Sequence, residues 1–170
     1  MRIDNAKMTR SNFNATGKDL YKIMEKMLAN QNLLKLLKYS TPDALTSKRD
    51  LTEEEKSELV NKNIKVVPQL PIPEEEGSFI IVAFDGFVTN ENNPEFRDNM
   101  ITFDVLCFMD CWIMNDYMLR PYKIMHEIDE MFNNSKLNGI GKVDFISANS
   151  LILSSELAGF TMVYRVVNDV

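Results

Sequence analysis

The sequence predicts an α+β fold: N-terminal helices, then β-β-α-β-β, with a helix packed on one face of a small antiparallel or mixed sheet. Three observations predict it. Apolar residues recur at helical spacing in the first third of the chain and again after Pro121, and they alternate with period two in four other stretches. Those four stretches fall in two pairs, each joined by a polar connection, which favours hairpins over the parallel crossovers of an α/β fold. With 170 residues, 45% hydrophobic and 26% charged, the chain fits one domain over residues 16–170 behind a flexible N-terminus at 1–15.

The elements follow in order. Thr16 is placed to cap a helix whose apolar positions Leu20, Ile23, Met24, Met27 and Leu28 follow the i, i+3, i+4, i+7, i+8 rule. NQNLLKLLKYSTPDA extends that helix or forms a second short one, and Pro42, lacking an amide hydrogen, stops it. Thr52-Glu53-Glu54-Glu55 is a capping-box pattern opening a short helix to about Asn61. Its three carboxylates sit at the positive end of the helix dipole and read as a solvated helix start, not a cation site. In IKVVPQLPIPEEEG, Pro68, Pro71 and Pro73 remove the donors a central strand needs, so residues 39–76 read as an insertion carrying an acidic helix and a Pro-rich arm. SFIIVAFDGFVTN and MITFDVLCFMDCW then form a long-looped hairpin around ENNPEFRDN. Pro121 suits the first turn of a helix with Ile124, Met125, Ile128, Met131 and Phe132 on one stripe, ended by Asn133-Asn134. GKVDFISANSLIL and GFTMVYRVVND, joined by SSELA, complete the sheet.

Chemistry is sparse. Residues 101–132 hold the only Trp, the only His and both Cys, yet each has an ordinary explanation. Cys107 and Cys111 share a strand face with Ile101, Phe103, Val105 and Met109, where Cys is a small buried hydrophobe. Zinc would need further ligands, and a thiol nucleophile would need a nearby base. His126 falls on the polar side of its helix beside Lys123 and Glu130. Asp104 and Asp110 alternate with Leu106, Phe108 and Trp112, and six residues of strand separate them by about 20 Å, too far for a shared ion. No Gly-rich phosphate loop or Gly-x-Ser-x-Gly elbow is present. No catalytic, cofactor-binding or metal-binding residue is therefore expected. The competing expectations are a metal-dependent nuclease or hydrolase using Asp104, Asp110 and His126, which requires convergence within about 5 Å, and a monomeric adaptor.

Net charge of −6 and a pI near 4.9 argue against gripping nucleic acid by counterion release, while suiting a passage through which DNA slides without sticking. Two Cys make no disulfide framework, and the sequence shows neither a membrane-length apolar run nor a signal-peptide core, so folding in the cytoplasm is expected. What stands out is residues 78–88, apolar on both faces: one helix cannot cover both, so the N-terminal helix or an identical neighbour must cover the second. The expected subunit contact comprises Val66, Leu70, Ile80, Phe84, Phe87, Trp112, Val163 and Val167.

In the order of its parts, DLYKIMEKML, FIIVAFDGFV with ITFDVLCFMDCW, LRPYKIMHEIDEMF, then GKVDFISANSLIL with LAGFTMVYRVVND, the chain resembles the tail terminators and related neck proteins of tailed bacteriophages. The resemblance implies a helix on one face of a small sheet and subunits joined in a ring, usually a hexamer, at the head-proximal end of the tail tube. It implies a virion protein, assembled in the host cytoplasm, that caps the tube and joins it to the connector. Its partners would be its own copies, the tail tube and the connector, with only transient proximity to DNA and no membrane. The insertion at 39–76 departs from the family's usual plan and leaves open a different layer of the neck.

Overall fold

The computed structural model describes residues 13–66, 76–89, 97–137 and 140–167. Leu70, the prolines of the arm and most of the segment expected to be flexible at 1–15 lie outside the described residues, as do the side chains of Phe87 and Val167.

Helix α1 spans Phe13–Leu28, so Thr16 lies inside it and does not cap it. Helix propensities of polar residues differ by only tenths of a kcal/mol, so Thr is tolerated inside a helix as well as at its start. Helix α2, Gln31–Lys38, is separate: the Asn30 side chain accepts from Leu33 N at 3.0 Å, and Leu33, Leu34, Leu36 and Leu37 are buried. Helix α3, Glu53–Leu59, starts on the predicted capping box, with Thr52 and Glu55 bonding each other's backbone. Arg49 grips the same Glu55 through two bonds of 2.8 and 2.9 Å.

Six strands form one mixed sheet: β1 Ile64–Lys65, β2 Ser78–Thr89, β3 Arg97–Phe108, β4 Ser135–Leu137, β5 Gly141–Ile152 and β6 Leu157–Val167, in the order β1-β2-β3-β6-β5-β4. β1 runs parallel to β2 and every other pair is antiparallel. Helix α4, Arg120–Phe132, links the β2–β3 hairpin to the β5–β6 hairpin, and the two join through β3 and β6 at the centre. Buried Asn63 fastens the start of β2, its side-chain amide donating to Leu37 O at 3.3 Å and Ser78 O at 2.9 Å.

Residues directly opposite on neighbouring strands share a face, so the register sorts the sheet into two sides. On one side Ile80, Val82, Ile101, Phe103, Val105, Met162 and Tyr164 pack against Ile23 and Met27 of α1, the leucines of α2, and Ile124, Ile128 and Phe132 of α4. The Phe103 ring lies 5.0 Å from Phe132 and 5.6 Å from Tyr164, whose hydroxyl donates to Asp129 Oδ1 at 2.9 Å. On the other side Phe79, Ile81, Leu106 and Leu157 form a second, smaller buried cluster. Beyond it the face turns polar, through the row Asp104, Thr161, Asn149 and the row Asp85, Met100, Arg165, Asp144.

Two expectations are corrected here. The first half of β2 is enclosed on both faces within one chain, so it needs no neighbour to hide it. Strand β3 ends at Phe108 instead of running on to Trp112: Met109–Cys111 turn in a 3-10 helix, and Trp112 N donates to Met109 O at 3.1 Å.

Candidate interaction surface

The chain between β3 and α4 turns tightly because its polar groups are bound on both sides. Arg120 opens α4 and is completely buried. Its guanidinium donates to Cys111 O at 2.7 Å, Leu36 O at 2.9 Å, Tyr39 O at 2.7 Å and Thr41 O at 2.7 Å. The Leu36 and Tyr39 carbonyls belong to the C-terminal end of α2, where acceptors lack helical partners and the dipole is negative. One cation thus satisfies the end of α2 and draws in the turn after β3. Burial lowers the Arg120 pKa, from a starting value so high that the group stays charged.

The loop that follows is equally fixed. Ile113 bridges Leu119, Met114 N donates to Met118 O at 3.0 Å, and Asn115 reaches back to Pro42 O and to Thr46 Oγ1, at 3.1 and 3.0 Å. Asp116 accepts from Met118 N at 3.2 Å and pairs with Lys123 at 2.9 Å, a contact that holds its carboxyl below the usual range. At the tip Tyr117 has φ of +60°, a left-handed conformation that a bulky side chain rarely adopts, and its ring is 97% exposed. Ile113 is 68% exposed, and Met109, Met118 and Tyr122 are exposed beside them. Tyr122 packs on Phe160 at 5.0 Å, and Phe160 stands opposite Ser150 of β5. The apolar rim therefore leads toward the outer edge of the sheet, where Phe145, Ile146 and Ile152 are exposed.

Of the described residues expected at a subunit contact, one is enclosed within the chain and four are half-buried. Ile80 is fully buried under the helices, a correction with a plain cause: its face of β2 is the core face. Val66, Phe84 and Trp112 are half-buried against that same core, Trp112 because the 3-10 turn swings its indole inward to donate to Cys107 O at 3.0 Å. Val163 is half-buried on the opposite face, in line with Thr102 and Ser147. Leu70, Phe87 and Val167 fall among the side chains not described.

The acids and histidine of the enzyme reading do not gather. Asp104 lies on the sheet face away from the helices, accepting from the Thr161 hydroxyl at 2.6 Å, while Asp110 is exposed in the 3-10 turn and His126 is exposed on α4. Among the described residues no three His, Cys, Asp or Glu side chains are grouped to hold a metal. Both cysteines are buried, and burial pushes the Cys107 thiol up to about 12. Neither thiol is expected to react with an aromatic disulfide reagent at pH 8 in the folded protein, and both are expected to react once it is denatured. A groove of about 560 Å³ between α1 and α3, floored by Leu28 and Val60, is rimmed by Glu25 and by Glu53, which pairs with Lys56 at 2.8 Å. One signal of the fixed loop is local: Arg120 stands in the first turn of a helix, where a cation opposes the dipole unless something else holds it.

Fold and surface together define an α+β protein with a helical layer on one face of a mixed sheet, showing a fixed apolar rim and a bare sheet edge. Within that class the chain belongs to the YomW family, whose model matches residues 30–166. That span runs from the cap of α2 to the last residues of β6 and leaves out the whole of α1. No curated protein matches the sequence.

Proposed function

We propose that the protein acts through its surfaces as a structural, non-enzymatic virion component: a ring at the head–tail junction of a tailed phage, capping the tail tube and joining it to the connector. The observation that carries this reading is the rigid display of Ile113, Tyr117 and Met118. Ordering a loop during association normally costs affinity, and here folding has already ordered it. The order helix, hairpin, helix, hairpin supports the reading because it is the order on which the resemblance to tail terminators rests. The acidic balance supports it as well, since carboxylates around a passage would repel phosphate and let DNA through.

Light scattering and negative-stain microscopy of the purified protein, alone and with tail-tube or connector proteins, test the proposal. The expected result is a ring or a defined complex, weakened by the pair Ile113→Lys and Tyr117→Ser. Both residues are exposed, so unfolding free energy should stay within about 0.5 kcal/mol of the parent. A protein that neither forms rings nor binds tube or connector overturns the reading.

A further inference from the structure

We propose that the outer edge of β5 is a self-pairing edge, at which two copies of this chain join antiparallel along residues 146–152 about a two-fold axis through Asn149. Among the described residues the edge is unpaired for most of its length. β4 pairs only with Gly141, Lys142 and Val143. Beyond them, among the described residues, the outer side of β5 takes one hydrogen bond, from Phe145 N to the side-chain oxygen of Asn133 at 3.1 Å. Exposed sheet edges in natural proteins are commonly guarded by Lys, Pro, inward charges or a bulge. Residues 146–152 read ISANSLI and hold no charge and no proline. Ile146 is itself a bulged residue, with no partner on β6, and the pairing with β6 is regular from Ser147 onward, so the regular part of the edge is residues 147–152.

The occupant follows from the sequence of the edge itself. An antiparallel pair centred on Asn149 sets Ala148 opposite Ser150, Ser147 opposite Leu151 and Ile146 opposite Ile152. Such centring on a residue keeps opposite positions on the same face, as the pleat requires. The two isoleucines, 47% and 75% exposed in one chain, stand at the two ends of the pair, where the bulged Ile146 of one copy lies near Ile152 of the other. No charge meets a charge anywhere along the stretch. For a chain of net charge −6 this matters, because like charges repel when most other surfaces of two copies are brought together. An uncharged edge with an isoleucine at each end accepts a second copy of itself without a charge conflict. A stable dimer buries about 800 Å² on each partner, more than one strand provides, so the pairing is expected to depend on protein concentration. It leaves β1, and the part of β2 beyond it, at the two far ends of a doubled sheet. The inference is independent of the virion reading, since a dimer through β5 requires neither a ring nor a phage.

Two experiments test it. Cys107 and Cys111 are buried, so in Asn149→Cys the new thiol is the accessible one. On the axis its two copies have Cα atoms about 4.5–5.5 Å apart, within disulfide range. Mild oxidation should give a covalent dimer, whereas Glu54→Cys, on exposed α3, should not. In sedimentation, Ile152→Lys should weaken the dimer at least tenfold. Adding Ile146→Glu should restore it, because the introduced charges meet across the axis. All three positions are exposed, so melting temperatures should not move, and the cross-link decides the matter for any variant that melts early. A strict monomer at every concentration overturns the proposal, as does a dimer indifferent to Ile152→Lys. Cross-linking only between Asn149→Cys and Ala83→Cys chains would also overturn it, by showing β5 joined head-to-tail to β2.

Discussion

Replacing Arg120 with methionine should lower the unfolding free energy by about 3–5 kcal/mol, since a buried acceptor left without its donor costs about 1–3 kcal/mol and four carbonyls lose theirs. The methionine stem would fill much of the space, so the loss would come from the carbonyls of Cys111, Leu36, Tyr39 and Thr41, left without a donor. Urea denaturation measures it directly. At about 2–4 °C per kcal/mol for a chain of this size, the melting temperature should fall by about 10 °C. Lysine should rescue little, because an ammonium cannot reproduce the planar fork that reaches the end of α2 and the 3-10 turn together. A methionine variant within about 1 kcal/mol of the parent would mean that water or a shifted backbone satisfies those carbonyls.

Gly159→Ala should be at least as damaging. A Cβ built on Gly159 would stand 1.8 Å from the carbonyl oxygen of Val105, a main-chain atom that cannot rotate away. The two central strands would have to part there, breaking the Leu106–Gly159 register and opening the small cluster around Leu106 and Leu157. Overpacking a core costs about 1–3 kcal/mol when side chains can yield, and here the neighbour is backbone. Loss of soluble protein, or an unfolding midpoint shifted by several kcal/mol, is the expected outcome. Gly77→Ala provides the comparison: its Cβ would meet Phe79 at an ordinary 3.7 Å, and it should fold normally. Equal behaviour of the two variants would mean the close approach at Gly159 is not a constraint.

What the sequence made legible was local. The capping box at Thr52 and the helix after Pro121 depend on contacts within a few residues, and both formed as expected. Four of the strands were readable from period-two alternation, but β1 and β4, of two and three residues, are too short to carry a period. Strand order was less accessible, because pairing β3 with β6 is decided by packing between segments about fifty residues apart. The expectation for Ile80 follows from that gap: with β2 presumed short of cover it looked available, whereas the helical layer encloses its face. Trp112 was misread for a different reason: alternation seemed to continue through it, and nothing local announced that the buried guanidinium of Arg120 would bend the chain at Cys111. The ISANSLI edge was visible as letters but acquires meaning only once β5 is known to lie next to the short β4.

The central position of β6 bears on how the chain is made. Because a ribosome releases residues in order, the β2–β3 hairpin and α4 emerge well before the strand that fills the gap between β3 and β5. Until Leu157–Val167 arrives, the open side of β3 displays unpaired amides and carbonyls to every other nascent copy, the condition under which strands recruit wrong partners. Yield in the cell should therefore be governed less by the stability of the finished sheet than by how quickly its last strand threads into the middle.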